Sequence, residues 1–285
     1  MSLCSAAYGA NDSTGTANFA HLKLQRSVRA AAMGSTFVAV ADDSSATLLN
    51  PAGLTQLTKS EIQFTHNAWL AGTAFSNIVY ARPWGRLGVF GGSLTYLSYG
   101  EIAETTRSQP GGTSRMFSSS ATEYLLSFAH SPVPAVSFGI NLKNMQQNID
   151  QSRDSGLGCD VGVLWNPPTG VKYGAVMQNI GIGKTLPSKI KLGVSSRLLE
   201  RKLLLAGEMS IPSDNNITYH LGAEYALVPF LSLRGGFNTR SEDGAGGNWS
   251  LGLGFEWNDF KLDYAYVPYE ELGATHRVGL RFGLL

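Results

Sequence analysis

The sequence of 285 residues has little cysteine, little charge and no long apolar run, and each shortage excludes a class of protein. Cys4 and Cys159 are too few for a disulfide framework and lack the CxxC spacing of a metal site. Charged residues make up only 15% of the chain and the net charge is +1, so a nucleic-acid-binding surface is not predicted. Because no run of about 18 apolar residues occurs, a helical membrane protein is excluded as well.

Apolar and polar residues alternate along much of the sequence, most clearly over residues 248–257, which read NWSLGLGFEW. The odd-numbered positions are large and apolar, whereas the even-numbered positions are small or polar. This period of two predicts a strand with one apolar and one polar face. Trp249 and Trp257 end the apolar face, which fits a strand of about 9–11 residues that crosses a bilayer with its aromatic rings at the interfaces.

The same alternation recurs after Leu54 and predicts fourteen strands, with no helix of ordinary length between them. The predicted strands are 61–66, 74–82, 86–98, 120–131, 135–147, 156–165, 171–179, 188–196, 201–211, 217–226, 230–239, 248–257, 259–267 and 274–284. Short connections alternate with longer ones such as 99–119, as in outer-membrane barrels with short periplasmic turns and longer outer loops. We therefore predict an all-β fold, a transmembrane antiparallel β-barrel of about 14 strands.

The alternative interpretation is a soluble all-β sandwich, propeller or barrel, because antiparallel sheets commonly have one wet and one dry face. Such a protein would stay in solution without detergent. Aromatic residues near strand ends favour the membrane barrel, since they resemble the aromatic girdles at bilayer interfaces. They are Trp84, Trp165, Trp249, Trp257, Tyr225, Phe230 and Phe260.

The chain before the strands divides into two parts. We interpret residues 1–27 as the remnant of an export signal or a flexible lead. Residues 28–57 are rich in Ala, Ser and Gly, whose small side chains suit a segment packed inside a narrow space. Asp43 or Ser44 is expected to cap a helical turn that Pro51 ends. The alternative is an ordinary N-terminal connection of a soluble domain, and residues 58–285 form the predicted barrel.

Two stretches resemble the FadL-type outer-membrane proteins, and especially their PorV/PorQ branch. One is RAAAMG at 29–34, continued by FVAVADD at 37–43 and NPAGL at 50–54; the other is the tail DYAYVPYEELGATHRVGLRF at 263–282. The resemblance implies a fourteen-stranded barrel whose N-terminal segment folds into the lumen as a hatch. The residues expected to set the hatch are Arg29, Asp42, Asp43, Asn50, Pro51 and Gly53.

The resemblance also implies two functions. FadL passes hydrophobic compounds such as long-chain fatty acids across the bacterial outer membrane, so passive transport of hydrophobic small molecules is one expectation. PorV-like members instead serve the type IX protein secretion system, where they receive exported proteins, and a shuttle or accessory role is the alternative. The implied partners are the lipid bilayer and either hydrophobic small molecules or secreted proteins.

The polar face of the later strands carries charges of both signs. The predicted lumen charges are Lys191, Glu208, Glu224, Arg234, Glu256, Lys261, Asp263, Arg277 and Arg281. We expect them to pair across neighbouring strands and with the hatch, because charges in a confined lumen are least costly when matched. A polar conduit for a charged solute is the alternative, although a selectivity ring would be biased towards one sign.

Enzyme signals are weak. Residues 181–185, GIGKT, end like a phosphate-binding loop, but the first glycine of that motif would fall at Gln178. Neither Ser127 nor Ser250 has a convincing histidine partner for a barrel hydrolase. The histidines, which lack metal-ligand spacing, are His21, His66, His130, His220 and His276. We therefore predict no enzymatic activity, no metal and no cofactor.

Overall fold

Fourteen antiparallel strands close into a single barrel in the computed structural model, which describes residues 16–239 and 248–284. The strands are β1 Ser60–Ala68, β2 Ala74–Pro83, β3 Val89–Ala103, β4 Met116–Val133, β5 Val136–Ile149, β6 Ser152–Trp165, β7 Val171–Ile182, β8 Lys189–Leu198, β9 Leu203–Pro212, β10 Thr218–Val228, β11 Leu231–Asn238, β12 Trp249–Trp257, β13 Phe260–Pro268 and β14 Ala274–Leu284. Each strand pairs with its neighbours in the chain, and β1 pairs with β14 to close the wall. The predicted fold class is confirmed.

The outer wall of the barrel is apolar, as the alternation predicts. On β12, Trp249, Leu251, Leu253 and Trp257 are exposed, whereas Ser250 and the glycines between them are buried. Large apolar side chains are exposed on the other strands in the same alternating pattern. This face suits a hydrocarbon environment, while the buried polar residues of the strands point into the lumen.

Two predicted loops are shorter than expected, because their hairpins extend beyond the apolar part of the wall. The loop predicted at 99–119 shrinks to 104–115, since Glu101 pairs with Ser118 and continues the β3–β4 ladder. The connection predicted at 148–155 is a two-residue turn in which Asp150 has a φ of 53°. Polar strand ends gain backbone hydrogen bonds by pairing, and hydropathy alone does not register that gain. The predicted loop at 240–247, the lead at 1–15 and Cys4 lie outside the described residues.

Short helical elements precede the barrel. Helix α1 spans Val28–Ala32 and begins after Ser27, whose Oγ accepts a hydrogen bond from the Ala30 N–H. Helix α2 spans Ala46–Leu49, and 3₁₀ turns span Ala20–Lys23 and Pro51–Gln56. In the described ranges, no helix is both long and apolar enough to cross a membrane.

The predicted cap of the helical turn is wrong in detail. The N-cap of α2 is Ser45 rather than Asp43 or Ser44, and Asp43 instead accepts hydrogen bonds from the Ser45 N–H and hydroxyl. Pro51 is the first residue of the 3₁₀ turn that follows α2. Proline suits that position because its fixed φ is helical and its missing N–H needs no partner there.

Candidate functional site

Residues 28–57, here called the luminal segment, fill the interior of the barrel. Nearly all of their side chains are buried, although the segment has little regular structure. Their apolar side chains form two core clusters with residues of the wall and its loops. The larger cluster includes Met33, Phe37, Leu48 and Leu54 of the segment and Val79, Val89, Ala129 and Leu204 of the wall. The smaller one joins Val28, Ala31 and Ala32 to Ala265, Val267 and Tyr269. Two further clusters contain no residue of the segment, one around Phe19 and Met145 and one around Phe75 and Leu97, so the packed core continues beyond the segment.

The wall lacks side chains where the luminal segment passes closest to it. A Cβ atom added at Gly236 would lie 1.9 Å from the Gly34 nitrogen, and one at Gly222 would lie 2.1 Å from the Thr36 Oγ1. Other inward glycines are as tightly covered by the segment, namely Gly139, Gly162 and Gly174. A side chain at these positions would overlap the segment, so the segment can pack against the wall here only where the wall has glycine.

Arg29 joins the luminal segment to the wall through buried ion pairs. Its Nε and Nη2 donate to the two carboxylate oxygens of Glu224 at 2.7 and 2.8 Å, in a bidentate arrangement. Its Nη1 donates to Asp42 Oδ1 at 2.6 Å and to Asp43 Oδ2 at 2.9 Å. One guanidinium group thus contacts three carboxylates, one on strand β10 and two on the segment itself.

The ion pairs continue along the inner wall. Arg281 Nη1 lies 2.5 Å from Asp43 Oδ2, which connects β14 to the segment. Arg234 links Glu224 to Asp263, with N···O distances of 2.7 and 2.6 Å. These charges are buried, and each positive group is paired with a negative one. This arrangement makes charge in a confined space least costly.

Glu208 binds the backbone of the luminal segment directly. Its Oε2 accepts hydrogen bonds from the N–H groups of Phe37 and Val38, both at 2.9 Å, while its Oε1 accepts one from Lys191 Nζ at 2.9 Å. The carboxylate satisfies two buried N–H groups that have no helix to pair them. Lys191 in turn balances its charge.

Asn50 and Gly53 are uncharged, and they fix the backbone path of the segment. The amide of Asn50 donates to the carbonyl oxygens of Val38 at 2.8 Å and Val163 at 3.3 Å. An added Cβ at Gly53 would lie 2.2 Å from the Ala41 carbonyl oxygen, so no larger residue fits there.

The remaining predicted lumen charges lie apart from this network. Glu256 and Lys261 pair at 2.8 Å near the β12–β13 turn, where both side chains are substantially solvent-exposed. Arg277 is buried, donates to the Gln25 carbonyl oxygen and the Tyr269 hydroxyl, and lies over the Trp69 ring. It therefore contacts the chain just before the luminal segment.

Sequence reasoning missed a second group of buried charges. Lys143 and Asp160 pair at 2.8 Å, and Glu123 pairs with Arg26. The three strand residues occupy inward positions of β4, β5 and β6, so the period-two pattern could have found them. No such signal exists for Arg26, because it lies in an irregular stretch.

Protonation is expected to affect the turn that contains His21 and the luminal segment that contains Asp43 differently. Although burial favours the neutral form, the guanidinium groups of Arg281 and Arg29 hold the pKa of Asp43 well below its usual value of 3.8. Burial lowers the pKa of His21 from 6.5 to about 4, against the opposing effect of the Glu123 carboxylate. The stability that Asp43 contributes is present above pH 3.8 and is lost only in stronger acid.

We expect the turn at His21 to loosen between pH 6.5 and pH 4, because the displaced form binds a proton in that range and the packed form does not. Its stability should fall by up to about 1.4 kcal/mol per pH unit. Hydrogen exchange of residues 18–24 should rise over this range while residues 28–43 stay protected. In His21→Gln the rise should disappear, and equal loosening of both parts would contradict the assignment.

A groove of about 620 Å³ lies in the wall across β8–β11. It is lined by apolar side chains and small residues, among them Gly207, Ala223 and Gly235 on the outward face. The adjacent residues Gly222 and Gly236 face inward and contact the luminal segment. At this place only the backbone of the wall separates the segment from the outer surface.

Comparisons with known proteins agree with this architecture. The toluene transporter TbuX of Ralstonia pickettii superposes with a TM-score of 0.68 at 13% identity, covering 90% of this chain and 98% of that one. The toluene transporter TodX of Pseudomonas putida gives 0.69 at 11% identity, covering 90% and 96%. A FadL homologue of Pseudomonas aeruginosa gives 0.63 at 11% identity, covering 90% and 98%. The barrel has the FadL-type fold.

At these identities the likeness to FadL-type barrels is one of fold. By sequence, the family described as "Uncharacterised protein family (UPF0164)" matches residues 3–123, which include the luminal segment and the first three strands. No curated protein matches the chain.

Proposed function

We propose that this chain is a bacterial outer-membrane channel for the passive passage of small hydrophobic molecules. In this proposal residues 28–57 are a hatch, residues 58–285 are the barrel that spans the membrane, and residues 1–27 lead into the hatch. The chain acts by binding and displacement, without an enzymatic step. The observation that carries the proposal is the position of the apolar groove on β8–β11 directly opposite the luminal segment.

The wall between the groove and the luminal segment is closed. Gly222 pairs with Gly236 on one side and with Ala206 on the other, so the backbone ladder is continuous there. Sideways passage from the lumen to the groove therefore requires this ladder to part as well as the luminal segment to move. The small residues on both sides of this thin wall would line an apolar route for an uncharged molecule once the segment has moved and the ladder has parted.

Similarity in fold to proteins named as toluene transporters supports a neutral hydrophobic cargo. The closed lumen supports a gated route, since its charged residues are already paired with one another and with the segment. A permanently open polar pore would have a water-filled centre in place of this packed core.

An uptake assay with a tethered hatch tests the proposal. A Cβ added at Gly193 would lie 3.4 Å from the Ala39 Cβ, close to the separation of about 3.5–4.5 Å in a disulfide. The variant Ala39→Cys/Gly193→Cys, with Cys4→Ser and Cys159→Ser, would therefore fix the segment to β8 on oxidation. Vesicles with a lipopolysaccharide outer leaflet and enclosed albumin would report entry of the fluorescent probe N-phenylnaphthylamine.

The reduced protein should admit the probe faster than protein-free vesicles, and oxidation should return the rate to that of protein-free vesicles. Addition of a reductant should restore entry. Equal rates for reduced protein, oxidised protein and empty vesicles would overturn the transport proposal.

The resemblance of residues 29–54 and 263–282 to the PorV/PorQ branch supports a second candidate, an accessory or shuttle role in type IX protein secretion. The compact outer loops favour it, because the loop at 104–115 offers little surface with which to capture a small molecule. A shuttle would co-purify with exported proteins from its native membrane and would give no probe uptake. A transporter would show the opposite pair of results.

A further inference from the structure

A second cavity, here called the vestibule, lies at the short-turn end of the barrel and has a volume of about 540 Å³. It is bounded on one side by the luminal segment, through Val40, Asp42 and Gln56, and on the other by the turns and inner faces of β4–β9. It adjoins the groove on the outer wall at Ser195 and Ser196 of β8, and the proposed passage of hydrophobic molecules does not use it.

The vestibule has more positive than negative charge. Lys172, Arg197 and Arg201 line it, and Asp42 is its carboxylate. Both oxygens of Asp42 are already engaged, Oδ1 by Arg29 at 2.6 Å and Oδ2 by Arg197 at 2.7 Å. Lys172 donates to the uncharged Gln56 amide oxygen. Across the described residues, neither Lys172 nor Arg201 has a carboxylate partner, so two positive charges remain unbalanced.

The turn that carries Arg201 has an unusual backbone. Leu199, Glu200 and Arg201 have φ values of 51°, 54° and 71°, although the left-handed region costs about 1–2 kcal/mol for each non-glycine residue. Tight hairpins with such angles ordinarily use Asn or Gly. Here the turn sets Arg201 at the rim of the vestibule, and strain of this kind is typically retained where a conformation is needed.

The other lining groups suit an oxyanion attached to a small organic body. The Ser137 hydroxyl, which accepts a hydrogen bond from Thr55, can donate its own proton, whereas the hydroxyls of Ser131 and Ser195 already donate to backbone carbonyl oxygens. Guanidinium groups match the geometry of phosphate and carboxylate oxygens. Leu164 and Leu204 add an apolar floor. The volume is that of a small-molecule site rather than of a bare ion.

We propose that the vestibule binds the phosphate group of a small phosphate monoester. The two unbalanced cations match the charge of about −1.5 to −2 that such a group carries at neutral pH. Arg201 and Lys172 contact the phosphate oxygens, and the Ser137 hydroxyl and the apolar floor face the organic part. The phosphate could belong to a free metabolite-sized molecule or to the head group of a lipid at the inner leaflet.

Calorimetry on the full chain in phosphatidylcholine nanodiscs tests this assignment, with glycerol 3-phosphate as the probe and glycerol as its uncharged counterpart. Glycerol 3-phosphate should bind saturably and glycerol should not. Arg201→Gln and Lys172→Gln should each weaken binding by about tenfold or more, because each removes a charge-assisted contact. Arg201→Lys should retain most of the affinity.

Arg86→Gln is the matched control, since Arg86 is an exposed cation at the β2–β3 turn that does not line the vestibule. Its affinity should equal that of the unaltered protein. Nanodiscs that contain phosphatidic acid distinguish the source: loss of glycerol 3-phosphate binding there assigns the site to a lipid head group, and unchanged binding assigns it to a free ligand. Absent saturable binding, or equal weakening by all three Gln variants, would overturn the proposal.

Discussion

Replacing Arg29 with methionine is expected to release the luminal segment from the wall. The change leaves Glu224, Asp42 and Asp43 without their shared guanidinium partner in a buried site. Each carboxylate keeps a second arginine partner, so the cost should lie below the roughly 3–5 kcal/mol that is typical of an uncompensated buried charge. In folded, membrane-inserted protein, residues 28–57 should become accessible to protease while the barrel strands stay protected.

The control for Arg29→Met is Lys59→Met at an exposed pair. Lys59 and Asp259 are each about half exposed, so losing their ion pair should change stability by less than about 1 kcal/mol. Protease protection of the luminal segment should then match that of the unaltered protein. A fully protected segment in Arg29→Met would show that the ion pairs do not hold it in place.

Replacing Gly236 with valine is expected to displace the luminal segment by steric overlap alone. The new Cβ would begin 1.9 Å from the Gly34 nitrogen, and neither backbone can yield without breaking contacts. Valine is favourable in strands, so assembly of the barrel itself should be retained. Uptake of N-phenylnaphthylamine should rise above the rate of the unaltered protein. The free energy of unfolding should fall by about 1–3 kcal/mol or more.

The neighbouring residue provides the matched control for Gly236→Val. Gly235 faces outward, and a Cβ added there would have its nearest neighbour at 3.9 Å, a methyl group of Leu251. Gly235→Val should therefore leave stability close to that of the unaltered protein, and it should not raise uptake. Equal effects of the two variants would locate the cause in the wall rather than in the luminal segment.

The fold could be predicted from the sequence because the bilayer imposes a local rule. Each strand must alternate between lipid and lumen, and β12 displays that rule in every residue from Trp249 to Leu253. The rule weakens beyond the membrane, which is why the hairpin near Glu101 and Ser118 extends further than hydropathy indicates.

The partners of the charged residues could not be predicted in the same way. Inward position follows from alternation, but pairing depends on strand register and on the path of an irregular segment. Glu224 meets Arg234 across one strand pair, yet its second partner, Arg29, is 195 residues away in the chain. The position of Arg201 could not be predicted either. It depends on a left-handed turn that the residue types at 199–201 do not indicate.

The packing of the luminal segment explains why the segment is rich in small residues and why the wall has glycine where the segment passes closest. Gly162 and Gly174 leave room for Asn50 and the Val38 carbonyl, so the two surfaces approach with backbone atoms in contact. Such contact is close enough for ion pairs and hydrogen bonds to fix a short irregular segment. A chain with larger inward residues would have to leave the lumen open.

Disulfide formation between Ala39→Cys and Gly193→Cys in membrane-inserted protein lacking Cys4 and Cys159 tests the central claim most directly. The Ala39 Cβ and a Cβ added at Gly193 are 3.4 Å apart, so mild oxidation should give one intramolecular cross-link in most molecules. The cross-link should appear as a shift in electrophoretic mobility that a reductant reverses. The pair Ala39→Cys/Gly207→Cys, whose second residue lies on the outward face, should not cross-link. Failure of the first pair, or equal cross-linking of both, would contradict a luminal segment seated inside the barrel.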